Sequence, residues 1–188
     1  PLASRTRTAD ANQPLDNMVA QVEAHLEKNP TDGRGWTVLA PVLARLGRYD
    51  DAVRAYRNSI TYAGDSAERR ADLGEVLAGA AGGVVTAEAK AEFERAVAQN
   101  ADDPKASYFL GLAAEQDGRP ADAASIWRGM LAKAPADAPW RPLLQSALAQ
   151  ALPNAGEIAA GTDAPEHLHQ LRVALRWLRS ALRWFVDW

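Results

Sequence analysis

The side chains that could do chemistry are few and poorly spaced for it. Only three histidines occur, His25, His167 and His169. His167 and His169 form an HxH pair, but on a helix two such residues point about 200° apart, so one metal cannot readily use both. No third ligand lies at a helical offset from them. His25 falls at a small-residue position of a helix and is read as packed or surface. The chain has no cysteine, which removes disulfides, thiolate metal sites, iron–sulfur clusters, a cysteine nucleophile and CxxCH haem attachment. No GxSxG, HExxH, P-loop or GxGxxG occurs. The Gly-rich run Gly79–Gly83 is better read as a connector than as a phosphate cradle. The acidic pairs Asp50–Asp51 and Asp102–Asp103 sit at helix starts, where carboxylates oppose the positive end of the dipole, and no two carboxylates are made to converge. The expectation is a protein that is not an enzyme and uses no cofactor and no metal.

What remains is surface and shape. The 188 residues carry a net charge of −3, with 47% hydrophobic and 24% charged side chains, enough for a real core in a soluble chain. The acidic excess argues against nucleic-acid binding by the bulk of the chain. No window approaches the roughly 18 apolar residues of a membrane span, and the first residues, PLASRTRTAD, do not resemble a signal peptide. A start at Pro1 without Met is read as a fragment, with an anchor upstream as an open expectation. The absence of cysteine suits an oxidising compartment without fixing one. Charge is uneven: residues 1–165 hold 17 basic and 22 acidic side chains, whereas 166–188 hold four Arg against Glu166 and Asp187.

The elements that position these surfaces repeat. From Gly33, the residues Trp36, Leu39, Ala40, Gly47, Ala52, Tyr56 and Ser59 fall at positions 4, 7, 8, 15, 20, 24 and 27 of a 34-residue unit. Large residues at 4, 7 and 24 fill the space between two antiparallel helices. Small residues at 8, 20 and 27 let the backbones approach, and Gly at 15 permits the turn. A second register from Ala67 has Leu73 and Gly74, then Ala89, Phe93 and Ala96 after three extra residues in the loop GAAGGVVT. A third from Pro104 has Leu110, Gly111, Gly118, Ala123, Trp127 and Pro135. Trp36 and Trp127 are expected in the core; Trp140 is either a capping contact or part of a binding rim. Pro41, inside a first helix, predicts a kink or a locally widened turn.

This spacing identifies the tetratricopeptide (TPR) family and predicts an all-α TPR superhelix. The expected organisation is a flexible segment 1–14 and a TPR domain 15–152. Its repeats lie near 33–66, 67–103 and 104–137, flanked by helices 15–29 and 140–152. A linker 153–165 and an amphipathic helix 166–188 follow. Gly35–Trp36, Gly47–Arg48–Tyr49, the run YFLGLA at 108–113, Gln116–Gly118, Trp127 and ADAPWR at 136–141 carry a closer resemblance. Across roughly residues 14–150 the chain resembles the periplasmic TPR domain of the cytochrome c biogenesis protein CcmI, also called CycH. The resemblance implies a non-catalytic, chaperone-like module on the periplasmic side of an inner-membrane-anchored bacterial protein. It would hold the C-terminal helix of apocytochrome c in the concave TPR groove and work with other haem-ligation components.

In a TPR array, positions 2, 5, 9, 12 and 13 of each first helix usually face the groove. Here they are Arg34, Thr37, Pro41, Ala44 and Arg45; Glu68, Ala71, Glu75, Ala78 and Gly79; and Lys105, Tyr108, Leu112, Glu115 and Gln116. Apolar contacts at Tyr108 and Leu112, with polar rims, suit an amphipathic helix. The expected peptide-binding residues are Arg34, Thr37, Pro41, Arg45, Glu75, Lys105, Tyr108, Leu112 and Gln116. The other reading is a generic TPR scaffold for an unrelated protein segment.

The C-terminal segment stands apart. Leu168, Leu171, Leu175, Leu178, Leu182 and Phe185 form an apolar stripe, Arg172, Arg176, Arg179 and Arg183 a basic one, with Trp177 and Trp184 on a third side. Such a helix must dock on something. The candidates are the TPR array of its own chain or of a neighbour, giving self-association, or a membrane surface. A fusion or shifted reading frame without an evolved role is the remaining alternative. The run HLHQLRVALRWLRSALRWF also resembles the opening helix of a CHAD domain, which implies polyphosphate contact through His169, Arg172, Arg176 and Arg179.

Overall fold

A computed structural model describes the backbone of residues 3–159 and the side chains of residues 15–151. Eight helices and no strand are found among the described residues: α1 (Ala3–Lys28), α2 (Gly33–Arg45), α3 (Tyr49–Ala63), α4 (Ala67–Ala80), α5 (Ala87–Gln99), α6 (Pro104–Gln116), α7 (Pro120–Lys133) and α8 (Arg141–Ala159). The described residues divide into two compact units, with the boundary between Asp65 and Ser66. The pairs α2/α3, α4/α5 and α6/α7 are the three repeats, so the all-α TPR architecture is as the spacing predicts.

Helix starts follow local chemistry. The side chains of Asp32, Ser66, Thr86 and Asp103 each accept from the backbone N–H three residues on, capping α2, α4, α5 and α6. The second helices α3 and α7 lack such a cap and begin just after the turn glycines Gly47 (φ +74°) and Gly118 (φ +73°). In both, the residue after the glycine is an arginine paired to an aspartate three residues on: Arg48 to Asp51 at 2.6 Å and Arg119 to Asp122 at 2.8 Å. The inserted residues of the second repeat fall between α4 and α5, at 81–86, where Gly82 and Gly83 also take positive φ.

The first unit packs α2 against α1 and α3. Leu39, Ala40, Leu43, Ala52, Ala55 and Tyr56 are buried between α2 and α3, with Val19 and Leu26 from α1. Gly33 lies so close to the end of α3 that a Cβ there would meet the Tyr62 carbonyl carbon and the Ala63 nitrogen at 2.5 Å.

In the second unit an aromatic row crosses three helices. Phe93 stacks on Phe109 at 4.7 Å; Tyr108 meets Phe109 edge-on at 5.4 Å and lies 6.1 Å from Trp127. Trp127 is fully buried, and its indole N–H donates to the Tyr108 carbonyl at 3.2 Å. Position 8 must be small here: a Cβ on Gly111 would sit 2.2 Å from the Trp127 ring nitrogen. The side chains Leu144 and Ala151 of α8 close this core, with Trp140 packed beside them as a capping contact.

Four local expectations differ from the structure. The first helix, expected from residue 15, begins at Ala3; apart from Pro14 the added segment holds no Pro or Gly to break a helix. α8 continues to Ala159 through the first residues of the expected linker, because Pro153 removes one backbone donor without stopping the helix-forming residues around it. Of the kink or widened turn expected at Pro41, the widened turn is absent: α2 runs through it as one continuous α-helix. Trp36 is half-buried rather than core, with its indole N–H donating to the Pro30 carbonyl at 2.8 Å.

Candidate functional site

The first-helix faces of the two units are used differently. In the second unit, Glu75 and Lys105, 30 residues apart in sequence, meet directly. The Lys105 ammonium lies 2.6 Å from Glu75 Oε2 and 2.6 Å from Asp72 Oδ1, bridging α4 and α6. Glu75 is buried, and its Oε1 has no hydrogen-bond partner. Burial pushes the Glu75 carboxyl above its usual range against the pull of Lys105. Burial alone would lower Lys105, but the flanking Glu75 and Asp72 carboxylates outweigh it and keep the ammonium charged. Tyr108 and Leu112 are each only 5% exposed, committed to the aromatic core rather than offered to solvent. Burial also raises the Tyr108 phenol.

Gln116 is exposed, but its amide is engaged at both ends. Its Nε2 donates to the Gly83 carbonyl at 3.1 Å and its Oε1 accepts from Val85 N–H at 2.8 Å, so α6 ties down the inserted α4–α5 loop. Of the other first-helix positions, Ala71 and Ala78 are buried, Gly79 and Glu115 half-buried and Glu68 exposed. Burial raises the Glu115 carboxyl.

In the first unit, Thr37 is spent inside the repeat: its hydroxyl lies 2.8 Å from the Gly33 carbonyl and 2.7 Å from Ser59 Oγ on α3. Pro41 and Ala44 are half-buried, whereas Arg34 and Arg45 are exposed. Among the described residues no ion pair engages either guanidinium. Arg34 helps line an open, almost wholly apolar cleft of about 370 Å³ between α1 and α2, with Gln21, Val22, His25, Gly35 and Val38.

Sequence reasoning missed this cleft. Val38 is 65% exposed, and Met18 on α1 is 56% exposed. Only the apolar residue one turn after Arg34 hinted at it. His25 is at the surface, 3.1 Å from Asp32 Oδ2. The Gly35 N–H, then His25, hold the Asp32 carboxyl below its usual range. The partners Asp72 and Asp103 were also missed. Asp103 was visible only as half of an acidic pair, yet it is buried, and burial raises its carboxyl.

No group of three or more potential metal ligands comes together among the described residues, and no described helix is long and apolar enough to cross a membrane. Leu171, Leu175, Trp177, Leu178, Leu182, Trp184 and Phe185, with His167, His169 and the Arg stripe, lie outside the described residues.

Comparison with known proteins gives this geometry a context. Residues 4–141 match the family described as "Cytochrome c-type biogenesis protein H TPR domain", and residues 142–188 match the CHAD domain. The cytochrome c-type biogenesis protein CycH of Bradyrhizobium diazoefficiens is 75% identical over 150 residues, covering 79% of this chain and 41% of that protein. Its namesake in Rhizobium meliloti is 41% identical over 150 residues, covering 80% of this chain and 39% of that protein. The chain thus spans about two fifths of the length of these relatives. Among solved structures, MamA matches with a TM-score of 0.64 at 16% identity, over 93% of this chain and 87% of that one. YrrB, described as a TPR protein with an unusual peptide-binding site, matches with a TM-score of 0.58 at 17% identity, over 96% of this chain and 87% of that one. At such identities the likeness is one of fold.

Proposed function

For a chain that belongs to the TPR-domain family of cytochrome c-type biogenesis protein H, we propose a non-catalytic role in c-type cytochrome maturation: holding the C-terminal helix of an apocytochrome c on the first-helix faces of its repeats. The observation that carries this reading is the 75% identity over 150 residues to a CycH protein. The reading puts the module on the periplasmic side of an inner-membrane-anchored protein, next to other haem-ligation components. An amphipathic helix suits such a face because its apolar stripe gains from burial while its polar side stays wet.

The test is titration of a fluorescent apocytochrome c C-terminal peptide with the full chain. Saturable binding that an unrelated amphipathic peptide does not reproduce supports the proposal. Equal binding of unrelated peptides favours a generic scaffold, and absence of binding defeats both.

A second reading rests on the CHAD match of residues 142–188 and the four arginines of that segment. It is binding of an anionic polymer such as polyphosphate. Binding that weakens steeply with salt supports it, because each neutralised phosphate releases counterions; salt-independent binding contradicts it.

A further inference from the structure

The α1–α2 cleft of the first unit has a composition that names its occupant. Beside the cleft α1 and α2 are closely packed: a Cβ on Gly35 would lie 2.7 Å from Leu26 Cδ2 on α1. Val38 and Val22 line the cleft from α2 and α1; Val38 stands more than half exposed, as does Met18 one turn before Val22 on α1. Apolar surface left this open beside a cleft marks an interaction face.

Charge decides what fits. Arg34, Val38, Pro41 and Arg45 fall at offsets 0, 4, 7 and 11, one stripe along α2, with the two arginines about 16 Å apart. Both guanidinia are exposed and have no ion-pair partner among the described residues, unlike Arg48 and Arg54 of the same unit, which pair with Asp51. The nearby carboxylates are already engaged: Asp32 by His25 and the Gly35 N–H, Glu23 by Arg48 at 2.7 Å. Asp16 and Glu27 lie two residues off the Met18–Val22–His25 stripe, about 200° round α1 from it. The rim is therefore unbalanced toward positive charge next to an apolar slot.

We infer that the α1–α2 cleft docks an amphipathic helix of a partner protein whose apolar stripe is bordered by carboxylates. The apolar stripe covers Val22, Val38 and Met18, and carboxylates roughly three turns apart meet Arg34 and Arg45. This inference rests on the reading that the chain binds a helix, and it adds where the helix sits and which charge it carries.

The experiment uses the full chain with three labelled peptides: a designed amphipathic helix with Glu beside its apolar stripe, the same helix with Lys in place of Glu, and an apocytochrome c C-terminal peptide. The acidic helix is expected to bind about tenfold more tightly than the basic one, since two exposed ion pairs are worth about that factor. The double variant Arg34→Glu/Arg45→Glu should reverse this preference. Val38→Asp should weaken both designed peptides, with helicity by circular dichroism unchanged. Equal binding of the two designed helices, or binding indifferent to all three substitutions, overturns the inference. If the apocytochrome peptide binds and is indifferent to them, the functional reading survives and the cleft assignment fails. If the acidic helix behaves as expected and the apocytochrome peptide does not bind, the cleft stands and the cytochrome reading fails. If nothing binds, both fall.

Discussion

The two units build the same helical hairpin and spend it in opposite ways. In the second unit most first-helix positions that could meet a ligand are buried or engaged within the unit, Glu68 excepted. Lys105 is locked between Asp72 and Glu75, Tyr108 and Leu112 are in the core, and Gln116 fastens a loop. In the first unit Arg34 and Arg45 have no ion-pair partner among the described residues, and Val38 is exposed beside an apolar cleft. The shared repeat pattern specifies how each hairpin closes, while the residues between its fixed positions decide whether a face becomes scaffold or surface. Stability is therefore expected to concentrate in the second unit and ligand sensitivity in the first.

The largest effect expected is from Trp127→Ala. Emptying a fully buried indole and orphaning the close approach at Gly111 should cost about 4 kcal/mol, read by urea unfolding. A loss below about 1 kcal/mol would mean the aromatic row is not the core of that unit.

Next comes Lys105→Met, which leaves the buried Glu75 without its counter-charge and should cost about 3 kcal/mol. Adding Glu75→Gln to that variant should restore much of the loss, because the stranded charge is gone. The same carboxyl sets a pH dependence. Burial raises its folded pKa above the usual 4.5. Its contribution therefore favours the fold below that value and is lost as pH rises through the folded pKa. The stability of Glu75→Gln relative to the parent chain should accordingly increase as pH rises from 4 upward; an unchanged difference would contradict the assignment.

Smaller still is Gln116→Ala, which removes both ties to the 83–85 backbone and should cost about 1–2 kcal/mol. Faster amide exchange across the loop is the accompanying readout. The smallest effect on stability, within about 0.5 kcal/mol, is expected for Arg34→Glu/Arg45→Glu, the same substitution expected to change peptide preference most. A large stability loss there would erase the distinction between the units.

Much of this fold is legible in the sequence because repeat spacing encodes packing. Gly47 and Gly118 had to be glycines to take positive φ, and Gly74 and Gly111 had to be small opposite Phe93 and Trp127. The extra residues at 81–86 read as an insertion because the flanking positions stay in register. Helix ends were less legible. Pro14 and Pro153 look like boundaries, yet each takes only one donor from a chain that continues as helix. The candidate site was legible only as a set of positions. That Lys105 reaches back to Glu75, or that Thr37 turns inward to Ser59, depends on how neighbouring helices meet. That Val38 stays uncovered depends on what does not pack against it, which no local pattern records.

The most direct test of this division is amide hydrogen exchange of the full chain with and without an apocytochrome c C-terminal peptide at saturating concentration. The account predicts slowed exchange in residues 18–25 and 34–45 and no change in α6 and α7. Protection confined to the second unit, or protection of neither unit on a peptide that demonstrably binds, would contradict it.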